Sequence, residues 1–120
     1  MNEQGTIAVL SFDFALKVVH LYKFLIEKKE FILSKQLLRS GTSIGANVEE
    51  ASAAQTKKDF IFKMCIASKE ARETRYWLKL LNESKLVPLD YSPYLGEIEV
   101  IIKILTKIVK SAQQNLTPNT

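Results

Sequence analysis

Apolar residues in this chain recur every three or four positions through one segment after another, and that rhythm belongs to the α-helix. Phe14, Val18, Leu21 and Leu25 keep it first, with Phe12, Ala15, Val19, Tyr22 and Ile26 in a second row beside them. Leu37, Gly41, Ile44, Val48 and Ala51 keep it next. Phe60, Met64, Ala67, Ala71, Thr74, Leu78 and Leu81 carry it along a third, longer segment. In the fourth, Leu95, Ile98, Ile102, Leu105 and Val109 form one stripe and Ile101, Ile104 and Ile108 another. No stretch alternates as a strand would, and no internal repeat or low-complexity run is present. Four amphipathic helices with short connections predict an all-α fold, an antiparallel up-and-down four-helix bundle.

Helix punctuation places the boundaries. Ser11 is the expected N-cap of the first helix, its hydroxyl accepting an orphan N–H. That helix should end near Lys28 and Lys29, where cations suit the carbonyl end. Thr56 with Asp59 three residues on makes a variant of the capping box for the third helix. The stretch SKLVPLDYSP holds Pro88 and Pro93 and is the strongest breaker in the chain. Ser92 then reads as N-cap and Pro93 as the first helical residue of a helix running to about Gln113. The 120 residues suffice for a single bundle domain with its own core. Residues 1–10 and 114–120 are expected to be its flexible ends.

Composition excludes several classes. The single cysteine, Cys65, permits no intrachain disulfide and fits a reduced, cytoplasmic setting. One cysteine and one histidine are too few for a zinc site, so no metal or cofactor is expected. No apolar run approaches the roughly 20 residues of a membrane span. The opening MNEQGTIAVLSFDF has neither a basic n-region nor a cleavage site and is not read as a signal peptide. The net charge of +4 and pI near 9.2 permit a nucleic-acid partner without demonstrating one.

The stretch RSGTSIGANVEEA, residues 39–51, sets two glycines four residues apart. A phosphate-binding loop would need G-x-x-x-x-G-K-[ST] after a strand. Here the spacing is one residue short, no Lys-Ser/Thr follows and no strand precedes. The helical rhythm also runs through both glycines. Since a glycine inside a helix costs roughly 1 kcal/mol against alanine, a compensating close approach is expected. The small residues Ala67, Ala71 and Thr74 of the third helix suggest that Gly41 and Gly45 cross there, with Ile44 and Val48 filling the flanks.

Arg39, Ser43, Asn47 and Glu50 line one edge of the second helix, and Glu70 and Glu73 of the third could meet that edge. Two glutamates at i and i+3 can share a metal or a proton. The di-iron bundle pattern, however, wants Glu-x-x-His, and Lys17 stands three residues before His20, the one histidine. The favoured reading is therefore a structural network, with Arg39 on a glutamate and Asn47 on backbone or hydroxyl. Cys65, flanked by Met64 and Ile66, reads as a small packing residue rather than a nucleophile. No catalytic residue is assigned.

From Lys57 to Lys85, eight cations stand against four carboxylates, a surplus of +4 that equals that of the whole chain. Arg72, Arg75 and Lys79 form one helical ridge, and Lys103, Lys107 and Lys110 another on the fourth helix. With Lys57 and Lys58 they are the candidate contacts for RNA or DNA, because phosphate binding is electrostatic and needs clustered cations rather than a motif. The alternative is an ordinary lysine-rich solvated face. No aromatic platform lies among these lysines, which argues against sequence-specific single-strand binding. The double stripes of helices one and four, and the rings of Phe24, Tyr76 and Trp77, exceed what one small core needs. A subunit interface is the preferred reading over a broad core.

Two stretches are specific enough to carry a family likeness: RSGTSIGANVEEA and KEARETRYWL, within residues 33–81, with SFDFALKVVHLYKFL of the first helix in support. The sequence resembles, over nearly its whole length, the bacterial four-helix bundle family known as 23S rRNA intervening-sequence proteins, also labelled S23 ribosomal protein. The resemblance implies a small bundle that forms ring-shaped homopentamers and has no established enzymatic activity. The family's name derives from reading frames within inserts of ribosomal RNA genes. A related branch is the accessory protein of diversity-generating retroelements, a basic pentameric barrel that binds nucleic acid and a reverse transcriptase. The function expected is a non-enzymatic oligomer that binds nucleic acid or a nucleoprotein through basic helix faces, or else a structural adaptor that binds protein partners alone.

Overall fold

The computed structural model describes residues 2–116. It contains four helices, α1 (Glu3–Glu27), α2 (Leu33–Ser52), α3 (Lys57–Ser84) and α4 (Ser92–Gln114). Each packs on its neighbours in the chain and α4 closes on α1, while the backbones of the diagonal pairs α1/α3 and α2/α4 stay apart. The result is an up-and-down four-helix bundle about 52 Å long.

α1 begins two turns before its expected start. The Asn2 side chain accepts the Gly5 N–H at 2.8 Å and caps the helix. Ser11 is not a cap but a buried mid-helix residue, and residues 3–10 are helical rather than a loose end. The physical reason is Ile7, fully buried and in register with Ser11, Phe14, Val18, Leu21 and Leu25. Burying it is worth roughly 1.5–3 kcal/mol, enough to extend the helix. At the far end Lys29 adopts a left-handed φ of 65°, with its N–H on the Ile26 carbonyl and the Glu30 N–H on that of Leu25. This is the Schellman closure with lysine where glycine is usual.

Glu30 then caps α2. Its carboxylate accepts the N–H groups of Leu33 at 3.0 Å and Ser34 at 2.7 Å, and the Ser34 hydroxyl donates back to the Glu30 carbonyl at 2.6 Å. Thr56 caps α3 as expected, accepting the Asp59 N–H at 3.0 Å. At α4 the expected cap shifts. Ser92 is already helical, Tyr91 holds the cap position without a side-chain bond, and Asp90 accepts the Ser92 N–H at 3.0 Å. Tyr91 is held inward instead, buried, with its hydroxyl donating to the Val87 carbonyl at 2.8 Å. α4 runs to Gln114, and residues 117–120 of the expected flexible tail lie outside the described residues.

The core joins the inner row of α1 to Leu37, Ile44 and Val48 of α2, Met64, Ala67, Ala71, Leu78 and Leu81 of α3, and Ile98, Ile101, Ile102, Leu105 and Ile108 of α4. Leu95, Ile104 and Val109 pack against it. Both stripes of α4 are therefore core. On α1 only one is: Phe12 is 63% exposed and Val19 43%, and Val9 and Leu16 extend the outer row.

The glycines face a different neighbour from the one expected. A Cβ on Gly41 would lie 2.8 and 2.9 Å from the two γ-methyls of Val18, and one on Gly45 would lie 3.3 Å from the Ser11 carbonyl oxygen. The close approach is thus between α2 and α1. The α2–α3 seam is closed one residue away, where Thr74 Oγ1 lies 2.9 Å from the Ser40 hydroxyl and 2.8 Å from the Glu70 carbonyl. Ala67 and Ala71 are fully buried on α3, while the atoms nearest the glycines' Cβ positions belong to α1. The helical period puts Ser40 and Gly41 on opposite shoulders of the buried face of α2, so adjacent small residues serve different seams.

Candidate nucleic-acid interface

Helix α3 sits at one corner of the bundle, and its two shoulders differ in charge. The shoulder toward α2 carries the polar cluster. Arg39 of α2 reaches Glu70 at 3.2 Å and also bonds Glu73, which accepts the Trp77 indole N–H at 2.9 Å. Ser43 donates to the Arg39 carbonyl at 2.6 Å and Asn47 to the Ser43 carbonyl at 2.8 Å, so both bond their own helix. Glu50 stands apart from that cluster and pairs with Lys63 at 3.0 Å. The arrangement is a clamp between helices: a guanidinium fork on two carboxylates, with an indole on one of them. Among the described residues no three of His, Cys, Asp and Glu gather as metal ligands would.

The shoulder toward α4 carries the cations, and the structure sorts them. Arg75 pairs with Glu99 of α4 at 2.9 Å, and Lys107 with Glu3 of α1 at 3.3 Å. Their charges are largely spent within the fold. Lys57, Lys58, Arg72, Lys79, Lys103 and Lys110 are exposed and, among the described residues, have no carboxylate partner within 4.0 Å. Arg72 is anchored by a neutral group instead, donating to the Thr106 hydroxyl of α4 at 3.2 Å. Arg72 and Lys110 line one groove between α3 and α4, together with Cys65, Ser68, Thr106 and Gln113. Farther along the same seam the groove is lined by Arg75, Lys79, Asn82 and the carboxylates Glu83 and Glu99. Lys57 and Lys58 sit in the first turn of α3, where the partial positive end of a helix disfavours cations. Stability does not explain two lysines there.

The eight candidate cations thus divide into two already paired and six available. Thr106, Ser68 and Gln113 escaped the sequence reading. A heptad count would have found part of the set, because Glu99, Thr106 and Gln113 recur every seven residues along the edge of α4 that meets α3. Cys65 also differs from its expectation. Its neighbours in sequence are apolar, but they point elsewhere on a helix, and the thiol lies partly exposed in the groove beside Arg72 and Lys110. His20 is exposed on α1.

Besides Val100 on α4 and Phe31, Ile32, Leu86 and Leu89 in the connections, exposed apolar residues gather on two corners. The α1 outer row of Val9, Phe12, Leu16 and Val19 is matched on α3 by Phe62 and Tyr76, which are 60% and 56% exposed. Tyr76 stands edge-on to Trp77 with ring centroids 5.1 Å apart. No helix among the described residues is long and apolar enough to cross a membrane.

Comparison with known proteins places this architecture. No curated protein matches the chain. A crystal structure of a protein of unknown function from the S23 ribosomal protein family of Bacteroides thetaiotaomicron is 47% identical, with a TM-score of 0.87 over 91% of this chain and 99% of that one. The family model described as 23S rRNA-intervening sequence protein matches residues 3–107, from the first residue of α1 into the last turns of α4. Three helices and the larger part of α4 fall within that match, and the chain belongs to the 23S rRNA-intervening sequence protein family.

Proposed function

We propose that this protein is a non-enzymatic, self-associating bundle that binds RNA or DNA through the basic shoulder between α3 and α4. The observation that carries the reading is the sorting of cations. Six of the eight candidate lysines and arginines have no carboxylate partner among the described residues, and the exposed apolar rows lie elsewhere, on α1 and the outer face of α3. One surface is therefore free for phosphates while others are free for protein. Binding of this kind releases counterions and is salt-dependent rather than sequence-specific.

The apolar rows support assembly. α1 and α3 occupy diagonal corners, so their outer faces point away from each other. Joining the α1 row of one copy to the α3 patch of the next is a heterologous contact, which closes into a ring when the rotation permits. The family resemblance sets the homopentamer as the expected ring, and the single cysteine, Cys65, fits a reduced, cytoplasmic setting.

Fluorescence anisotropy with a labelled RNA or DNA at rising salt tests the binding. Affinity should fall steeply between 50 and 200 mM salt on the counterion-release argument, and charge reversal at Arg72, Lys79 and Lys110 should abolish it. Unchanged affinity in that variant would remove the basic shoulder from the reading. No binding at low salt, with a stable oligomer by light scattering, would favour an adaptor that binds protein alone. A monomer at micromolar concentration would overturn the assembly.

A further inference from the structure

We infer that the groove between Arg72 and Lys110 is a discrete subsite for a single phosphate group, with Arg72 as the residue that orients it. This inference rests on the nucleic-acid reading above and narrows it from a charged face to a built pocket. The chemistry of the lining is the first argument. Two cations, the hydroxyls of Ser68 and Thr106 and the carboxamide of Gln113 all offer donors, and no carboxylate lines the groove. The neighbouring groove along the same two helices is lined by Glu83 and Glu99, and there Arg75 is taken by Glu99. Two arginines three residues apart on one ridge thus have opposite fates, and only Arg72 keeps its charge for an outside anion.

Preorganisation is the second argument. The guanidinium of Arg72 crosses from α3 to donate to Thr106 Oγ1 on α4 at 3.2 Å. That bond fixes the fork without neutralising it and leaves the other N–H groups to engage two oxygens of one phosphate side by side. Lys110 supplies a second charge from the α4 side. Size is the third. The groove is shallow and open to solvent and offers about 260 Å3, below the roughly 300–1,000 Å3 of pockets that take whole small molecules. A tetrahedral oxyanion fits against this lining of cations and hydroxyls, and contact through a phosphate touches the backbone of a strand without reading its sequence. A diester within a strand and a free anion share this chemistry, and the two arms of the test tell the sources apart.

The test uses the full-length protein in two arms. In the first, a labelled single-stranded RNA is titrated at several salt concentrations with wild type, Arg72→Gln/Lys110→Gln and Arg75→Gln. The double variant should lose at least tenfold in affinity, and its salt slope should fall by about 1.4, roughly 0.7 for each lost cation. Arg75→Gln should bind like wild type. In the second, inorganic phosphate is titrated and followed by NMR. The amide and guanidinium signals of Ser68, Arg72, Thr106 and Lys110 should move and saturate, and those of Arg75 should not. Sodium chloride at matched ionic strength should leave them still, and the double variant should lose the response. Both side chains are exposed, and an unchanged thermal unfolding curve establishes that the variant folds. RNA binding that survives intact in the double variant overturns the subsite and leaves the broader basic face standing. If wild type binds no RNA, the nucleic-acid reading fails by itself, and the phosphate arm decides: saturating shifts support a free-phosphate subsite, and their absence, or equal shifts with chloride, overturns it.

Discussion

Helices α1 and α4 stand side by side and carry equally rich apolar sequence, two stripes each, yet only α4 buries both. On α4, Ile101 and Ile108 are nearly inaccessible and Ile104 packs against the core. On α1, the second stripe is left partly outside, with Phe12 63% and Val19 43% exposed and Ala15, Tyr22 and Ile26 half-buried. The difference lies in position around the helix. The stripes of α4 lie next to each other, so one wide face turned to the core covers both. In α1 the row of Val9, Phe12, Leu16 and Val19 lies opposite the row of Phe14, Val18, Leu21 and Leu25, and no rotation could bury both in a four-helix core. The lesson is that the amount of apolar surface does not distinguish core from interface, whereas its angular placement does.

The largest effect that can test this contrast comes from truncating one residue of each second stripe. Ile101→Ala should cost about 2–5 kcal/mol, the usual range for a buried aliphatic truncated to alanine. Phe12→Ala should change the stability of the monomer by no more than about 0.5 kcal/mol, as an exposed substitution does. If the α1 row is a subunit contact, the Phe12→Ala loss should grow with protein concentration, because association stabilises only the folded state. Urea midpoints at low and high concentration measure both. Equal, concentration-independent losses at the two sites would break the comparison.

A smaller effect asks what holds α1 in the orientation that leaves its outer row outside. The seam with α2 does so: Gly41 leaves room for the Val18 methyls, and Gly45 for the Ser11 backbone. Gly41→Ala gains about 1 kcal/mol of helix propensity but forces a methyl to 2.8 Å from a stiff β-branched side chain. Overpacking of this kind costs typically 1–3 kcal/mol, so a net loss of up to about 2 kcal/mol is expected. In a Val18→Ala background the same change should be neutral or stabilising, since the clashing methyls are gone. A double-mutant cycle by chemical unfolding reads the coupling, and an identical cost in both backgrounds would place the pressure elsewhere.

How much of this was legible in the sequence follows from what periodicity can and cannot encode. Four helices, their inner rows and the Thr56 cap could be read directly, because burial repeats at the helical period. The start of α1 could not, because Ile7 precedes the richer part of the pattern and the plausible cap Ser11 lies in the buried row. The partner of Gly41 could not either, because a row of small residues says that something approaches closely and not which neighbour does. Arg39 with Glu70 and Glu73 was legible as complementary charge on facing edges. The pairing of Arg75 with Glu99 and of Arg72 with Thr106 was not, since a ridge of cations looks uniform until the opposite helix supplies its acceptors. Glu30 as the cap of α2 was missed for a related reason: it reaches forward from the closing turn of α1, where no capping motif places it.

A third test concerns the end of α1. Lys29 holds a left-handed conformation that costs a non-glycine residue about 1–2 kcal/mol. Lys29→Gly should recover part of that, about 0.5–1 kcal/mol after the added freedom of the unfolded chain is subtracted. A rise in the urea midpoint with unchanged oligomeric state would separate the anchoring of α1 from the use of its outer row. A fall would mean that the lysine side chain contributes more than its backbone strain removes.

The smallest effect lies in the seam where the two compared helices meet. Lys17 of α1 bonds Glu97 of α4 on the surface, and that hydrogen bond, with the negative charge behind it, raises the lysine above its ordinary pKa. A group raised on folding contributes stability that is complete below its unfolded pKa and is lost as pH climbs through the folded one. Tyr91 acts in the same direction by another cause. Burial raises its phenol, so above about pH 10 only the unfolded chain ionises freely. Stability should therefore decline from about pH 10 upward. Tyr91→Phe should remove the part due to the phenol, and Lys17→Met the part due to the α1–α4 pair. The pair is exposed and screened, so its share should be the lesser and should shrink with added salt. Unfolding midpoints from pH 8 to 11 at two ionic strengths check this. A Lys17→Met protein with an unaltered alkaline slope at low salt would show that α1 is held against α4 by apolar contact alone.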